Sequence, residues 1–284
     1  MSQLPFAATT PVSVSRVGLR ARDAESLVEF YRRVVGLEEL SRDGGTVTLG
    51  AGGRALLVIE KDPAARPDDS RSAGLFHTAF LLPGRADLGR WIGHAAQNGI
   101  RLDGASDHLV SEALYLSDPE GNGIEIYADR EKEAWPMDGP EIAMATERLD
   151  LADVARAVPA GDAGWQGAPE NSVVGHVHLR VGDPKRAEQW WHETLGLDTV
   201  ARYGPKAVFL SSGGYHHHIG ANSWHSSGAG RRDPSRSGLS WIELRSATAS
   251  EPSTLEDPWG TTVSVVPGQP GSADGGAGAV NSLR

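Results

Sequence analysis

The side chains of this sequence best suited to chemistry are histidines and carboxylates set singly among apolar residues. His77 interrupts the run Leu75-Phe76-His77-Thr78-Ala79-Phe80-Leu81-Leu82. Glu125 stands between Ile124 and Ile126, on the strand face opposite to both. His176 and His178 alternate within Gly175-His176-Val177-His178-Leu179, and His216, His217 and His218 follow one another after a Gly213-Gly214 turn. Two readings are open for each kind of residue. A carboxylate between isoleucines either faces solvent or points into a cavity and binds a metal. A histidine in an apolar strand either completes a hydrogen bond in the core or serves as a ligand. The chain has no cysteine, which excludes thiolate metal sites, Cys nucleophiles and disulfides. Any metal must be held by His, Asp or Glu, a donor set suited to Fe(II), Mn(II) or Zn(II).

Bulk properties narrow the partners. A length of 284 residues suffices for two domains of ordinary size. The chain is 39% hydrophobic and 23% charged, as a soluble globular protein is. Its net charge of −10 argues against a nucleic-acid partner, since nothing would neutralise phosphates over an extended surface. No apolar run approaches membrane-spanning length, so no membrane partner is expected. The opening MSQLPFAATTPVSVSR lacks a basic region followed by an apolar core, which places the protein in the cytoplasm. Thirty-five glycines and seventeen prolines imply many turns and a strand-rich fold.

The elements that must position these residues follow a repeated plan. After a lead-in at 1–11 expected to be disordered, Val12 to Arg22 reads as a strand. Asp23 is an N-cap for a helix through Val35, with Leu27, Phe30, Tyr31 and Val34 at helical spacing and Gly36 closing it. Three short strands, Leu37–Leu40, Thr46–Leu49 and Arg54–Glu60, complete one βαβββ module. A second begins with the His77 strand, continues with a helix from Arg85 to Asn98, and ends in a hairpin around Asp118-Pro119-Glu120-Gly121-Asn122-Gly123 whose last strand carries Glu125. Residues 130–170 read as linker, with a helix expected over Ile142 to Val158 and a Gly/Ala/Pro-rich boundary at Pro159–Pro169.

The chain then repeats itself. Arg16-Val-Gly-Leu-Arg-Ala-Arg-Asp23 matches His176-Val-His-Leu-Arg-Val-Gly-Asp183 at an offset of 160, and Gly36-Leu37 matches Gly196-Leu197 at the same offset. This is a third module. A fourth is shortened: Asp257-Pro258-Trp259-Gly260 matches Asp118-Pro119-Glu120-Gly121, but only Ile242–Glu256 separates it from the opening Gly238-Leu239-Ser240-Trp241, which leaves no room for a helix. The expected organisation is α+β, four βαβββ modules in two domains. The first domain is 12–130 with two modules, the linker 131–170, the second domain 171–267 with one complete and one truncated module, and 268–284 a disordered tail.

With GLFHTAFLLPGRADLGR, SDHLVSEALYLSDPEGNGIEIYADR, VVGHVHLRVGD and GGYHHHIGANSW together, the chain resembles the vicinal oxygen chelate superfamily from about residue 12 to 266, and within it the two-domain extradiol dioxygenases of the catechol 2,3-dioxygenase type. The resemblance implies ligands at a first-strand His and a last-strand Glu of a module. Module one has Arg16 at the His position, and module four has Trp241 and Ser264. Modules two and three together supply His77, Glu125 and His176, so the site is expected across the two halves as a 2-His-1-carboxylate set for Fe(II), or alternatively Mn(II). The resemblance further implies a catechol and dioxygen as substrates, His217 as the acid/base, Tyr115 as a substrate-side phenol, and His108, His178, His216 and His218 as pocket residues. In a strand, His216 and His218 would share one face and His217 take the other. A homodimer is the candidate assembly. A glyoxalase-type Zn(II) or Ni(II) isomerase or lyase is the alternative enzyme, and a non-catalytic drug- or metabolite-binding protein of the same fold is the alternative outside catalysis.

Overall fold

A computed structural model describes residues 3–268, so the tail expected to be disordered lies outside the described residues apart from Gly268. Module one comprises β1 (Val12–Ala21), α1 (Ala24–Phe30), β2 (Glu38–Asp43), β3 (Thr46–Ala51) and β4 (Arg54–Lys61). The Asp23 side chain accepts from the Ser26 amide at the start of α1, and a π-helical turn over Tyr31–Val35 runs on from it to Gly36, whose φ of 83° only glycine adopts freely. Module two comprises β5 (Gly74–Leu81), α2 (Arg85–Gln97), β6 (Gly104–Asp107), β7 (Ser111–Ser117) and β8 (Gly123–Asp129).

The linker departs from expectation. It forms the short strands β9 (Met137–Asp138), β10 (Glu141–Ile142) and β11 (Glu147–Arg148), and its helix α3 covers only Leu151–Ala155. Asp150 explains the late start, because its carboxylate accepts from the Asp153 amide and caps the helix there. The segment before it is spent as an edge strand, β11 pairing with β6. Module three comprises β12 (Val173–Arg180), α4 (Pro184–Leu195), β13 (Asp198–Tyr203), β14 (Ala207–Ser211) and β15 (Ile219–Asn222). Module four is β16 (Gly238–Ser246), β17 (Ser253–Glu256) and β18 (Thr262–Pro267), without a helix. Its turn copies that of module two. Asp257 Oδ1 accepts from the amides of Trp259 and Thr261, as Asp118 Oδ1 does from Glu120 and Asn122.

The modules pair in a nested order. β1 lies antiparallel to β16 in a seven-stranded sheet ordered β17-β18-β16-β1-β4-β3-β2. β5 lies antiparallel to β12 in a nine-stranded sheet ordered β11-β6-β7-β8-β5-β12-β15-β14-β13. Modules one and four thus share one sheet, two and three the other, and each sheet draws on both sides of the 131–170 segment. One hydrophobic cluster spans both sheets and the helices, joining Val17 and Leu19 of β1, Phe80 of β5, Ile124 and Ile126 of β8, and Val177 and Leu179 of β12. Period-two alternation sends His77, Glu125, His176 and His178 to the opposite face of the nine-stranded sheet. The lead-in is ordered as well. Phe6 packs edge-on against Tyr215 and beside Trp135, and Thr10 Oγ1 lies 3.0 Å from His218 Nε2, so the expectation of disorder fails for residues 3–11. Contacts onto Tyr215 and His218 of module three and onto Trp135 of the linker hold this short segment.

Candidate active site

The register across three strands assembles the site. Ala79 of β5 pairs with Glu125 of β8 on one side and with His176 of β12 on the other. Its small side chain leaves space between them, and His77 sits two residues earlier on the same face. The result is that His77 Nε2 lies 3.0 Å from Glu125 Oε2, His176 Nε2 lies 3.1 Å from the same oxygen, and the two Nε2 atoms are 3.3 Å apart. His77 is 6% exposed, Glu125 2% and His176 1%. Glu125 is therefore the cavity-facing carboxylate and not a solvent-facing one.

This donor set fits a divalent ion. Three lone-pair-bearing atoms converge on one buried point, where they repel unless a cation or shared protons lie between them. Ligands at right angles, each about 2.1 Å from an ion, stand about 3 Å apart, and the three separations match. Among the described residues these are the one group of three His or carboxylate side chains close enough together to hold a metal. Burial alone would push the Glu125 carboxyl up, but the imidazoles of His176 and His77 outweigh it and hold it well below the usual carboxylate range. Burial pushes His176 down to about 4, against the opposing pull of Glu125. The protein thus presents a carboxylate and a neutral imidazole at neutral pH, the forms that ligate.

His77, Glu125 and His176 open onto a cavity of about 470 Å³. His217 lines it with its ring 4.0 Å, centroid to centroid, from that of His176. Tyr115 faces Glu125 across β7 and β8. Its hydroxyl is 2.6 Å from His108 Nε2, and His108 Nδ1 is 2.6 Å from the Ala145 carbonyl. A carbonyl only accepts, so His108 carries its proton on Nδ1 and Tyr115 donates to the bare Nε2. The turn that aims His108 holds Leu109 at φ 69°, a left-handed conformation costly for this residue type. His178 lines the cavity between Phe76 and Trp224, and its buried Nε2 has no hydrogen-bond partner.

The three consecutive histidines do not form a strand. β15 begins at Ile219, after them, so face alternation does not apply and their rings diverge three ways. His217 turns to the cavity. His216 turns away, with Nε2 2.8 Å from Asp129 Oδ1, and does not line the cavity. His218 is wholly buried against the lead-in, near Thr10 Oγ1 and the Ala7 carbonyl, and does not line it either. Sequence reasoning passed over Tyr127 and Asp129, although both follow Glu125 at period two on β8. Tyr127 Oη lies 3.3 Å from His176 Nδ1 and 2.7 Å from Tyr215 Oη. Gly175 is what admits it, because a Cβ there would stand 1.8 Å from that hydroxyl.

The other sheet has no such site. Arg16 is paired with Glu243 at 2.8 Å, and Trp241, whose indole donates to Glu60 at 2.7 Å, lies where a Cβ on Gly18 would come within 2.3 Å of its ring. An ion pair and an indole occupy the place that ligands hold in the nine-stranded sheet.

Comparison with known proteins gives this architecture a lineage. A profile described as the Glyoxalase/Bleomycin resistance protein/Dioxygenase superfamily matches residues 13–126 and 173–263. The chain belongs to that superfamily. Within the superfamily it is 41% identical over 230 residues to a catechol-2,3-dioxygenase of Bacillus subtilis strain 168, a match covering 80% of each chain. Solved structures of lower identity superpose on most of its length. Glyoxalase I of Zea mays does so at 12% identity and a TM-score of 0.54, over 92% of this chain and 94% of that one. The cppA protein of Streptococcus pneumoniae does so at 11% identity and 0.54, over 94% and 99%. These two likenesses concern the fold alone.

Proposed function

We propose that the protein is an extradiol ring-cleaving dioxygenase, which inserts dioxygen into a catechol at an Fe(II) held by His77, Glu125 and His176, with Mn(II) as the alternative ion. The observation that carries the reading is the convergence of these two imidazoles and one carboxylate, buried, at the floor of a cavity that also holds His217 and Tyr115. The similarity to a catechol-2,3-dioxygenase over most of the chain supports it. An ion there would supply Lewis acidity and electrons for dioxygen. With His77, Glu125 and His176 together at one end of the cavity, the rest of it is left to substrate.

The chain's own groups would handle orientation and protons. Phe76, Phe209 and Trp224 give the cavity aromatic walls that hold a ring and exclude water. His217 is the base for a catechol hydroxyl and the acid for the later proton return, a role for which imidazole is suited. Tyr115, with its own proton committed to His108, offers an oxygen lone pair toward the substrate side. His178 offers a buried, unpartnered nitrogen. A glyoxalase-type reading calls for a second carboxylate ligand, and this group has Glu125 as its single carboxylate.

The test is metal analysis of untagged protein purified without oxygen, followed by catechol addition under air. The expected result is roughly one Fe or Mn per chain, oxygen uptake matching catechol loss, and the visible absorbance of a ring-opened product. Protein that holds Fe or Mn yet consumes no oxygen with any catechol overturns the proposal.

A further inference from the structure

We infer that Asp129 is a positioning residue that sets the tautomer of His217. The inference rests on the reading of His217 as the acid/base. Two hydrogen-bonded branches meet at one carboxylate oxygen. On the first, His216 Nε2 is 2.8 Å from Asp129 Oδ1, and His216 Nδ1 is 2.8 Å from His217 Nδ1. On the second, the Tyr215 hydroxyl is 3.2 Å from the same Oδ1, Tyr127 Oη is 2.7 Å from Tyr215 Oη, and His176 Nδ1 is 3.3 Å from Tyr127 Oη.

A carboxylate only accepts, and with His216 as a neutral imidazole this fixes the protons of the first branch. His216 donates from Nε2, so its Nδ1 is bare and accepts from His217 Nδ1–H. The Nε2 of His217 is then left bare on the cavity side, which is the atom a general base needs. Tyr215 also donates to Asp129 and so helps hold the carboxylate in place. The second branch does not set the His176 tautomer, because His176 Nε2 lies 3.1 Å from Glu125 Oε2 and donates to that carboxylate while no ion is bound. The first branch therefore ends in the productive tautomer of His217. His176, His216, Tyr127 and Tyr215 are buried, so water does not compete for these bonds. The Gly175 backbone, which alone makes room for the Tyr127 hydroxyl, is shaped to the second branch.

The experiment is nitrogen-15 NMR of the histidine rings in the full-length, metal-free protein, with metal affinity and turnover measured alongside. In the wild type, His217 should carry its proton on Nδ1 and His216 on Nε2. Asp129→Asn and His216→Phe should each change the tautomer population of His217, so the branch is read twice even if one variant fails to fold. Tyr215→Phe should leave His217 as in the wild type. Turnover should fall about 10²- to 10⁴-fold in His216→Phe, in kcat more than in KM. Unchanged tautomers in Asp129→Asn overturn the inference, as does Tyr215→Phe acting on His217. If His217→Ala abolishes turnover while Asp129→Asn alters nothing, the inference falls and the dioxygenase reading stands. If no form cleaves a catechol, that reading falls and the tautomers still decide the role of Asp129.

Discussion

Glu125 brings the one carboxylate to a group otherwise made of imidazoles, so its loss should be felt first in metal binding. Glu125→Ala is expected to purify with little Fe or Mn, and full occupancy by elemental analysis would remove it from the ligand set. His77→Ala and His176→Ala should lose metal and activity together. His217→Ala should keep its metal and lose about 10²- to 10⁴-fold in turnover. Single-turnover kinetics on the metal-loaded variant check this, and turnover near wild type would make His217 a wall residue. At this scale much was legible. His77, Glu125 and His176 are polar residues at period two in otherwise apolar strands, and the family resemblance singled them out. What could not be read was the direction of His216 and His218. The alternation argument presupposes a strand, and after the Gly213-Gly214 turn, both at positive φ, the backbone is irregular until Ile219. Asp129 was within reach of the same period-two logic, but its meaning depends on Tyr215 and His216, which arrive from 86 and 87 residues away.

Elements carry consequences of their own. The segment from Tyr215 to His218 is clamped by the lead-in, and burial pushes the His218 imidazole down to about 3. The sign follows from proton counting. The unfolded chain takes up this proton near pH 6.5, while the folded chain refuses it until about pH 3. Stability from this group is therefore complete above pH 6.5 and lost progressively as pH falls toward 3. His217 and His178 are also held low by burial and add to the same slope. Urea unfolding at several pH values should show midpoints falling through the acid range, with a shallower fall in His218→Gln. An unaltered slope would mean that His218 is not the group concerned. Gly175→Ala should displace the Tyr127 hydroxyl and destabilise β12 by about 1–3 kcal/mol, measured by the same unfolding. The helices of modules one to three and the missing helix of module four were legible from caps, spacing and segment length. The linker helix was not, since a partly apolar stripe over Ile142 to Val158 fits an edge strand and a short capped helix equally well.

For the whole molecule, the repeat implied four modules and the family resemblance put the candidate ligands in two and three, but pairing partners are a property of sheet edges that no repeat records. Because β5 joins β12 and β1 joins β16, residues 1–135 alone would leave each of these two strands with one edge unpaired. That fragment should bind Fe or Mn poorly and associate with itself, which light scattering and metal titration would show. Tight stoichiometric metal binding by it would contradict the cross-module site. The nested pairing also orders events in time. The contact of β5 with β12 closes between Gly74 and Arg180, whereas that of β1 with β16 closes between Val12 and Ser246. During synthesis the inner sheet can complete its hydrogen bonds while module four is still to be translated, and module one must wait, its inner edge open, for the end of the chain. On this account the ribosome releases a polypeptide whose ligand-bearing half is already folded, and chaperone demand should track exposed β1. Pulse-labelled hydrogen exchange on refolding protein would then find β5 and β12 protected before β1 and β16.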